Sequence, residues 1–154
     1  INLAIGIAAE IGQEAILVDL DLRKPSIHRC FGIEPDQVAG LKEYFEDEHS
    51  DVSELLVCPE IDGLGLLLSA DPLARSSDIL ASDRGKQLFA ELRARLSDRT
   101  VIVVDLPPML AADDALAVAP LLDALLLVVA EGQSERSDVL ESRHLLESFN
   151  LIGT

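Results

Sequence analysis

The fold is decided by residues 15–23, AILVDLDLR, in which a short apolar run ends in two aspartates and an arginine. The first four residues are apolar without alternation, which is typical of a parallel strand that is covered on both faces. Asp19 and Asp21 are therefore expected at the carboxyl end of a buried strand. That end is where parallel α/β sheets bind their ligands.

Two further apolar runs resemble this one. Residues 101–104, VIVV, come directly before Asp105 and a Pro-Pro pair, and residues 124–129, ALLLVV, follow later in the chain. Neither run alternates, so both are predicted as buried strands. Helical spacing of apolar residues predicts helices over residues 1–11, 85–96, 113–122 and 134–149. We expect the first of these helices to be buried on most sides.

The segment between the first two strands is less regular. It contains a short predicted helix over residues 41–45 and two apolar runs, 55–58 and 64–68, whose spacing suits a hairpin or a paired edge. Alternation of helices with buried strands predicts one α/β domain over residues 1–154, with a doubly wound and mainly parallel sheet.

Length, charge and cysteine content limit the domain number, partners and location that we expect for this protein. The 154 residues suit a single core, and a net charge of −16 disfavours nucleic acid as a partner because DNA attracts basic surfaces. Cys30 and Cys58 form no CxxC pair, and a reducing cytosol is the expected location. The chain opens inside a helical pattern and closes as a new apolar segment begins, so we expect truncation at both ends.

Acids at strand ends suggest phosphoryl transfer. Carboxylates such as those of Asp19, Asp21 and Asp105 can orient Mg²⁺ and can accept a proton from an attacking hydroxyl. An aspartate also commonly begins a turn after a strand. Three such acids, with Arg23 and the Pro-Pro pair beside them, favour the functional interpretation.

The same residues carry a family resemblance. Residues 16–23, followed by Pro25 and His28, resemble the Walker A-prime motif of bacterial tyrosine autokinases of exopolysaccharide biosynthesis, and residues 102–108 resemble their Walker B motif. Residues 77–82, residues 114–115 and residues 123–129 fall where later motifs of that family occur.

The resemblance implies a deviant P-loop ATPase fold with three α/β/α layers, which uses ATP and Mg²⁺ to phosphorylate tyrosines in its own tail and so regulates polysaccharide export. It implies that Asp19 acts as base or orients the metal and that Asp21 supports it. Asp105 would hold Mg²⁺ through water, and Arg23 would anchor this cluster and contact the cofactor.

The resemblance also implies a cytoplasmic protein at the inner face of the plasma membrane. Its expected partners are an inner-membrane polysaccharide copolymerase or transmembrane activator, further copies of itself and a tyrosine phosphatase. The chain contains no G-x-x-x-x-G-K-S/T loop, and Tyr44, its one tyrosine, is interpreted as structural. We therefore expect the phosphate loop and the tyrosine cluster outside these residues, and the 154-residue chain by itself to be inactive.

Three alternatives remain open. A ParA/MinD-type partitioning or site-placement ATPase shares the acidic motifs and would hydrolyse ATP without labelling protein. A receiver domain would use Asp105 as phosphoacceptor, and an inactive adaptor would keep the fold for assembly. His28 and Cys30 lack a third ligand nearby in the sequence, so no structural metal is expected.

Overall fold

A computed structural model describes residues 1–47 and 50–153 of the chain. Its central sheet has the strand order β2-β3-β1-β4, in which β1 is parallel to both of its neighbours and β2 is antiparallel to β3. A second sheet pairs β5 with β6 in parallel. The strands are β1 Glu14–Asp19, β2 Leu56–Val57, β3 Leu64–Leu67, β4 Thr100–Asp105, β5 Leu125–Leu126 and β6 Leu151–Gly153. The predicted α/β class with a mainly parallel sheet is confirmed.

Helices surround the central sheet. The α-helices are α1 Asn2–Ala8, α2 Ile27–Cys30, α3 Leu41–Glu46, α4 Ser76–Ala81, α5 Asp83–Arg95, α6 Asp114–Val118 and α7 Arg136–Leu145. Short 3₁₀ turns occur at Pro35–Gln37, Val52–Leu55 and Ala119–Leu121. None of the helices in the described ranges is both long and apolar enough to cross a membrane.

Strand β1 is buried on both faces. Ala15 and Leu17 pack in one core cluster with α1, and Val18 packs in the other with α5. Successive side chains of a strand point to opposite faces, so an uninterrupted apolar run serves both clusters. The strand therefore lies between two helical layers, as the three-layer prediction required.

The predicted secondary structure is largely confirmed between the strands. The hairpin exists as β2 paired with β3, and the helix predicted over 41–45 is α3. The helix predicted over 113–122 is present as α6, which ends at Val118. A 3₁₀ turn that contains Pro120 follows it directly. Proline lacks an amide hydrogen, so Pro120 cannot donate the next helical hydrogen bond, which accounts for the early end.

Helix α1 differs from its prediction. It is shorter than residues 1–11, and it is not buried on most sides, since Leu3 is 51% exposed and Ile11 fully exposed. Ala4 and Ala8 are the buried positions on its inner face. Gly12 then turns the chain with a φ of +76°, a conformation that glycine adopts without steric cost.

The third predicted strand is also different. Residues 124–129 were expected to form a buried strand, but β5 covers Leu125–Leu126 alone, and Val128 is 83% exposed. The physical reason is that β5 pairs with β6 rather than with the four-stranded sheet. An apolar run signals affinity for a core, but it does not say which element will cover it.

Two helical glycines have contrasting surroundings. Gly85 lies in the first turn of α5, where its amide donates to the Ser82 hydroxyl oxygen at 3.2 Å. A Cβ at Gly85 would lie 2.3 Å from the carbonyl oxygen of Leu80, whereas a Cβ at Gly6 in α1 would meet nothing within 4 Å. Gly85 therefore permits the close joint between α4 and α5, and Gly6 serves no such contact.

Substitution by alanine should affect these two glycines in opposite directions. We expect Gly85→Ala to lower the free energy of unfolding by about 1–3 kcal/mol through overpacking against backbone. Gly6→Ala should raise it by about 0.5–1 kcal/mol through helix propensity. Urea unfolding followed by circular dichroism measures both, and equal midpoints for the two variants would contradict the described joint.

Candidate active site

The predicted convergence of acids is present at the carboxyl end of the central sheet. Asp19 and Asp105 are the last residues of β1 and β4, and they are paired in register. The amide of Leu20 donates to the carbonyl oxygen of Asp105 at 2.9 Å, which extends the pairing by one residue. Two acids far apart in the sequence are therefore held beside one another by backbone hydrogen bonds.

Asp19 is completely buried. Its Oδ2 accepts hydrogen bonds from the amides of Ser26 at 3.2 Å and Ile27 at 3.1 Å, whereas Oδ1 has no hydrogen-bond partner among the described residues. Burial raises the pKa of Asp19 to about 6, although the amide hydrogen bonds oppose the shift. Asp19 thus joins β1 to the start of α2, and its Oδ1 is buried without a hydrogen-bond partner in the described part of the chain.

Asp21 and Asp105 are half-buried and open to solvent. Burial raises the pKa of Asp105, and the negative charge of Asp21 adds to the increase. Asp21 Oδ1 accepts a hydrogen bond from the amide of Lys24 at 3.0 Å, which fixes the turn after β1. These two carboxylates are the accessible negative charges of the site.

Arg23 has a different partner from the one expected. Instead of anchoring Asp19 or Asp21, its guanidinium binds Asp114, with Nε donating to Oδ2 at 3.1 Å and Nη2 to Oδ1 at 3.3 Å. The sequence signal for Asp114 was its position at a later family motif, but nothing in the sequence indicated a pairing with Arg23. The role of Arg23 in contacting a cofactor stays a prediction.

The residues at this edge fit a magnesium ion. Mg²⁺ is commonly bound by one or two carboxylates, with water and substrate phosphates completing its shell. Asp105 and Asp21 offer accessible oxygens, and Asp19 Oδ1 is a buried oxygen without a partner in the described part of the chain. Within the same residues, no group of three or more His, Cys, Asp or Glu side chains could form an all-protein metal site. The metal roles of Asp19 and Asp105 stay predictions.

A nucleotide requires more than these residues supply. P-loop proteins hold phosphates with the backbone amides and the lysine of a glycine-rich loop. The 154 residues do not contain that loop motif. The acids described here therefore fit the metal of a metal–nucleotide complex, but they do not by themselves fit its phosphates.

Three further candidate residues are Tyr44, His28 and Cys30. Tyr44 is completely buried, and the Arg84 guanidinium lies 3.8 Å from its ring centroid. Burial raises the pKa of Tyr44 to about 12, and the charge of Glu91 contributes. This supports the interpretation of Tyr44 as structural. His28 is buried and Cys30 exposed, and neither belongs to a metal-binding group in the described ranges.

No protein-family model matches the chain. It is 28% identical to the tyrosine-protein kinase YwqD of Bacillus subtilis over 94% of its own length and 58% of that protein. It is 27% identical to the tyrosine-protein kinase Etk of Escherichia coli K12, over 92% of this chain and 19% of Etk. The chain resembles bacterial tyrosine kinases. It spans less than two thirds of the length of each of these relatives.

Solved structures show the same relationship. The VpsO kinase domain superposes with a TM-score of 0.85 at 29% identity, over 99% of this chain and 72% of that one. The kinase domain of E. coli Etk gives 0.82 at 27% identity, over 98% and 57%. The cell-division ATPase MinD of Pyrococcus furiosus gives 0.73 at 19% identity, which indicates a shared fold alone, over 98% and 61%. The P-loop NTPase-like fold is thus confirmed, and the kinase interpretation is favoured over the MinD alternative.

The raised pKa of Asp19 predicts a pH-dependent cost to stability. The folded pKa is about 6 against 3.8 in the unfolded chain, so the folded state binds the proton more tightly. The contribution of Asp19 to the free energy of unfolding is greatest below pH 4, falls as the pH rises to 6 and stays low above that pH. We expect Asp19→Asn to be more stable than the wild type at pH 7 by up to about 3 kcal/mol, and to lose that advantage near pH 4.

Chemical denaturation at the two pH values measures this difference. The exposed Asp98 provides a control, since Asp98→Asn should change stability little at either pH. A loss of stability in Asp19→Asn that is the same at pH 4 and pH 7 would contradict the prediction, because it would show that the Asp19 hydrogen bonds outweigh the cost of burying its charge.

Proposed function

We propose that this chain is the acid-bearing core of an ATP-dependent protein tyrosine kinase that acts in exopolysaccharide or capsule biosynthesis. The observation that carries the proposal is the in-register pair Asp19 and Asp105, at the ligand-binding edge of a sheet that resembles bacterial tyrosine kinase domains. The curated relatives include proteins named as tyrosine kinases, among them Etk and YwqD.

The proposed site assigns separate tasks to its acids. Asp105 and Asp21 would provide oxygen ligands to the cation, because their carboxylates are half-buried and reach solvent, whereas that of Asp19 is completely buried. A bound Mg²⁺ would neutralise negative charge on the transferring phosphoryl group. Asp19 would hold the turn between β1 and α2 through the amides of Ser26 and Ile27.

Asp19 is also the best candidate for the general base. A tyrosine hydroxyl with a pKa near 10 is a weak nucleophile at neutral pH, and a carboxylate that accepts its proton lowers the barrier. The pKa of Asp19 is raised to about 6, which brings it closer to the working pH than that of an ordinary aspartate. Its Oδ1 is the carboxylate oxygen that the described residues leave unbonded.

The remaining parts of the kinase would come from sequence beyond these 154 residues. The proposal requires a glycine-rich phosphate loop with its lysine, and tyrosines that accept the phosphoryl group. It also includes self-association, a membrane copolymerase or transmembrane activator, a phosphatase and a location at the inner face of the plasma membrane. Those parts rest on the family resemblance and on the greater length of relatives such as YwqD.

Phosphotyrosine formation tests the proposed activity directly. Protein expressed from the complete gene should acquire phosphotyrosine when it is incubated with Mg²⁺ and ATP. Asp105→Asn should reduce the initial rate about 100-fold, because it removes an accessible cation ligand. Asp98→Asn should leave the rate unchanged. Hydrolysis of ATP without any phosphotyrosine would favour a site-placement ATPase instead.

The 154-residue chain by itself should not label tyrosine. Its sequence supplies no phosphate loop, and its one tyrosine is buried beneath Arg84. Mass spectrometry after incubation of the purified chain with Mg²⁺ and ATP should find Tyr44 unmodified. Stoichiometric phosphorylation of Tyr44, on protein with an unchanged circular dichroism spectrum, would contradict both the buried position and the need for the loop.

A further inference from the structure

Asp114, the first residue of α6, is a buried acid with a fully occupied carboxylate. Both of its oxygens accept hydrogen bonds from Arg23, and Oδ2 also accepts one from the Ser76 hydroxyl at 2.7 Å. Asp114 and Ser76 are almost completely buried. A two-point contact between arginine and carboxylate fixes the orientation of the guanidinium plane as well as its position.

Arg23 has a competing partner within its own turn. It follows Asp21 by two residues, and the charge of Asp114 acts on it most strongly, followed by those of Asp113 and Asp21. The Arg23 side chain is 45% exposed, so packing alone does not fix its position. The hydrogen bonds that fix the guanidinium are thus those to Asp114.

Release of Arg23 would alter the cation site. A guanidinium paired with Asp21 would neutralise one of the two accessible negative charges and occupy the oxygens that a metal ion needs. We propose that Asp114 is a positioning residue that holds Arg23 away from Asp21 and so keeps the carboxylates of Asp21 and Asp105 available to a divalent cation. This inference rests on the proposed function, which places the cation at Asp105 and Asp21.

A second aspartate offers a comparison with the same side-chain types at a more exposed position. Asp51 accepts hydrogen bonds from Arg95 and from the Ser53 hydroxyl, the same three side-chain types that meet at Asp114. Arg95 ends α5 shortly before β4 begins, so this triad lies near the amino-terminal end of β4, whereas Asp105 lies at its carboxyl end. Disruption of the Asp51 triad should leave the cation site unaffected.

Binding of Mn²⁺ as a probe for Mg²⁺ provides the test, on protein expressed from the complete gene and without nucleotide. Electron paramagnetic resonance of free Mn²⁺ measures affinity independently of activity. Asp105→Asn should abolish specific binding. Asp114→Asn should weaken binding about tenfold, and adding Arg23→Gln to it should restore affinity to within about threefold of the wild type. Asp51→Asn should bind as the wild type does.

Recovery in the double variant separates positioning from folding, because a purely structural role for Asp114 predicts no recovery. If Asp114→Asn fails to fold by circular dichroism, Arg23→Gln alone supplies the test and should bind Mn²⁺ at least as tightly as the wild type. Unchanged affinity in Asp114→Asn, no recovery in the double variant, or weaker binding by folded Arg23→Gln would overturn the inference.

The outcome for Asp105 distinguishes the two proposals. If Asp105→Asn abolishes binding but Asp114→Asn does not weaken it, the cation site stands and the positioning role is wrong. If the wild type binds no Mn²⁺, or binds it as Asp105→Asn does, the cation role in the proposed function fails and the inference fails with it.

Discussion

The in-register parallel pairing of β1 with β4 is the constraint on which the candidate site depends. Each strand ends in an aspartate, and the ladder runs from Glu14 opposite Thr100 to Asp19 opposite Asp105. A slip of one residue would transfer every side chain of β1 to the opposite face of the sheet. Both faces carry apolar side chains, so the register is fixed by the shapes of the side chains that each packed cluster receives rather than by polarity. The register in turn sets Asp19 opposite Asp105.

Burial of the Asp19 carboxylate at this site carries an electrostatic cost to stability. Asp19 is buried with a raised pKa, and it is retained at a place where an apolar residue would pack without that cost. Its hydrogen bonds from Ser26 and Ile27 offset part of the penalty and orient the turn. Functional sites often carry such locally unfavourable groups, because binding and proton transfer need charge that folding alone would not select.

Much of this arrangement could be predicted from the sequence. Apolar runs without alternation indicated parallel strands, whose carboxyl ends lie at one edge of the sheet, so the position of Asp19 and Asp105 at the same edge followed from local pattern. That their two strands are neighbours did not follow from it. The burial of Asp19 and the pairing of Arg23 with Asp114 did not follow. Both depend on how distant segments pack, and a motif that contains an arginine does not specify which acid the arginine binds.

The exposed residues in and next to α1 and β5 show the same limit. An apolar sequence indicates that a segment tends to be buried, but it does not indicate which element will cover it.

The separate β5–β6 sheet has a consequence for dynamics. Its two short strands share few backbone hydrogen bonds, whereas β1 is bonded along both edges. Local opening of β5 and β6 breaks less structure, so their amide hydrogens should exchange with solvent deuterium well before those of β1.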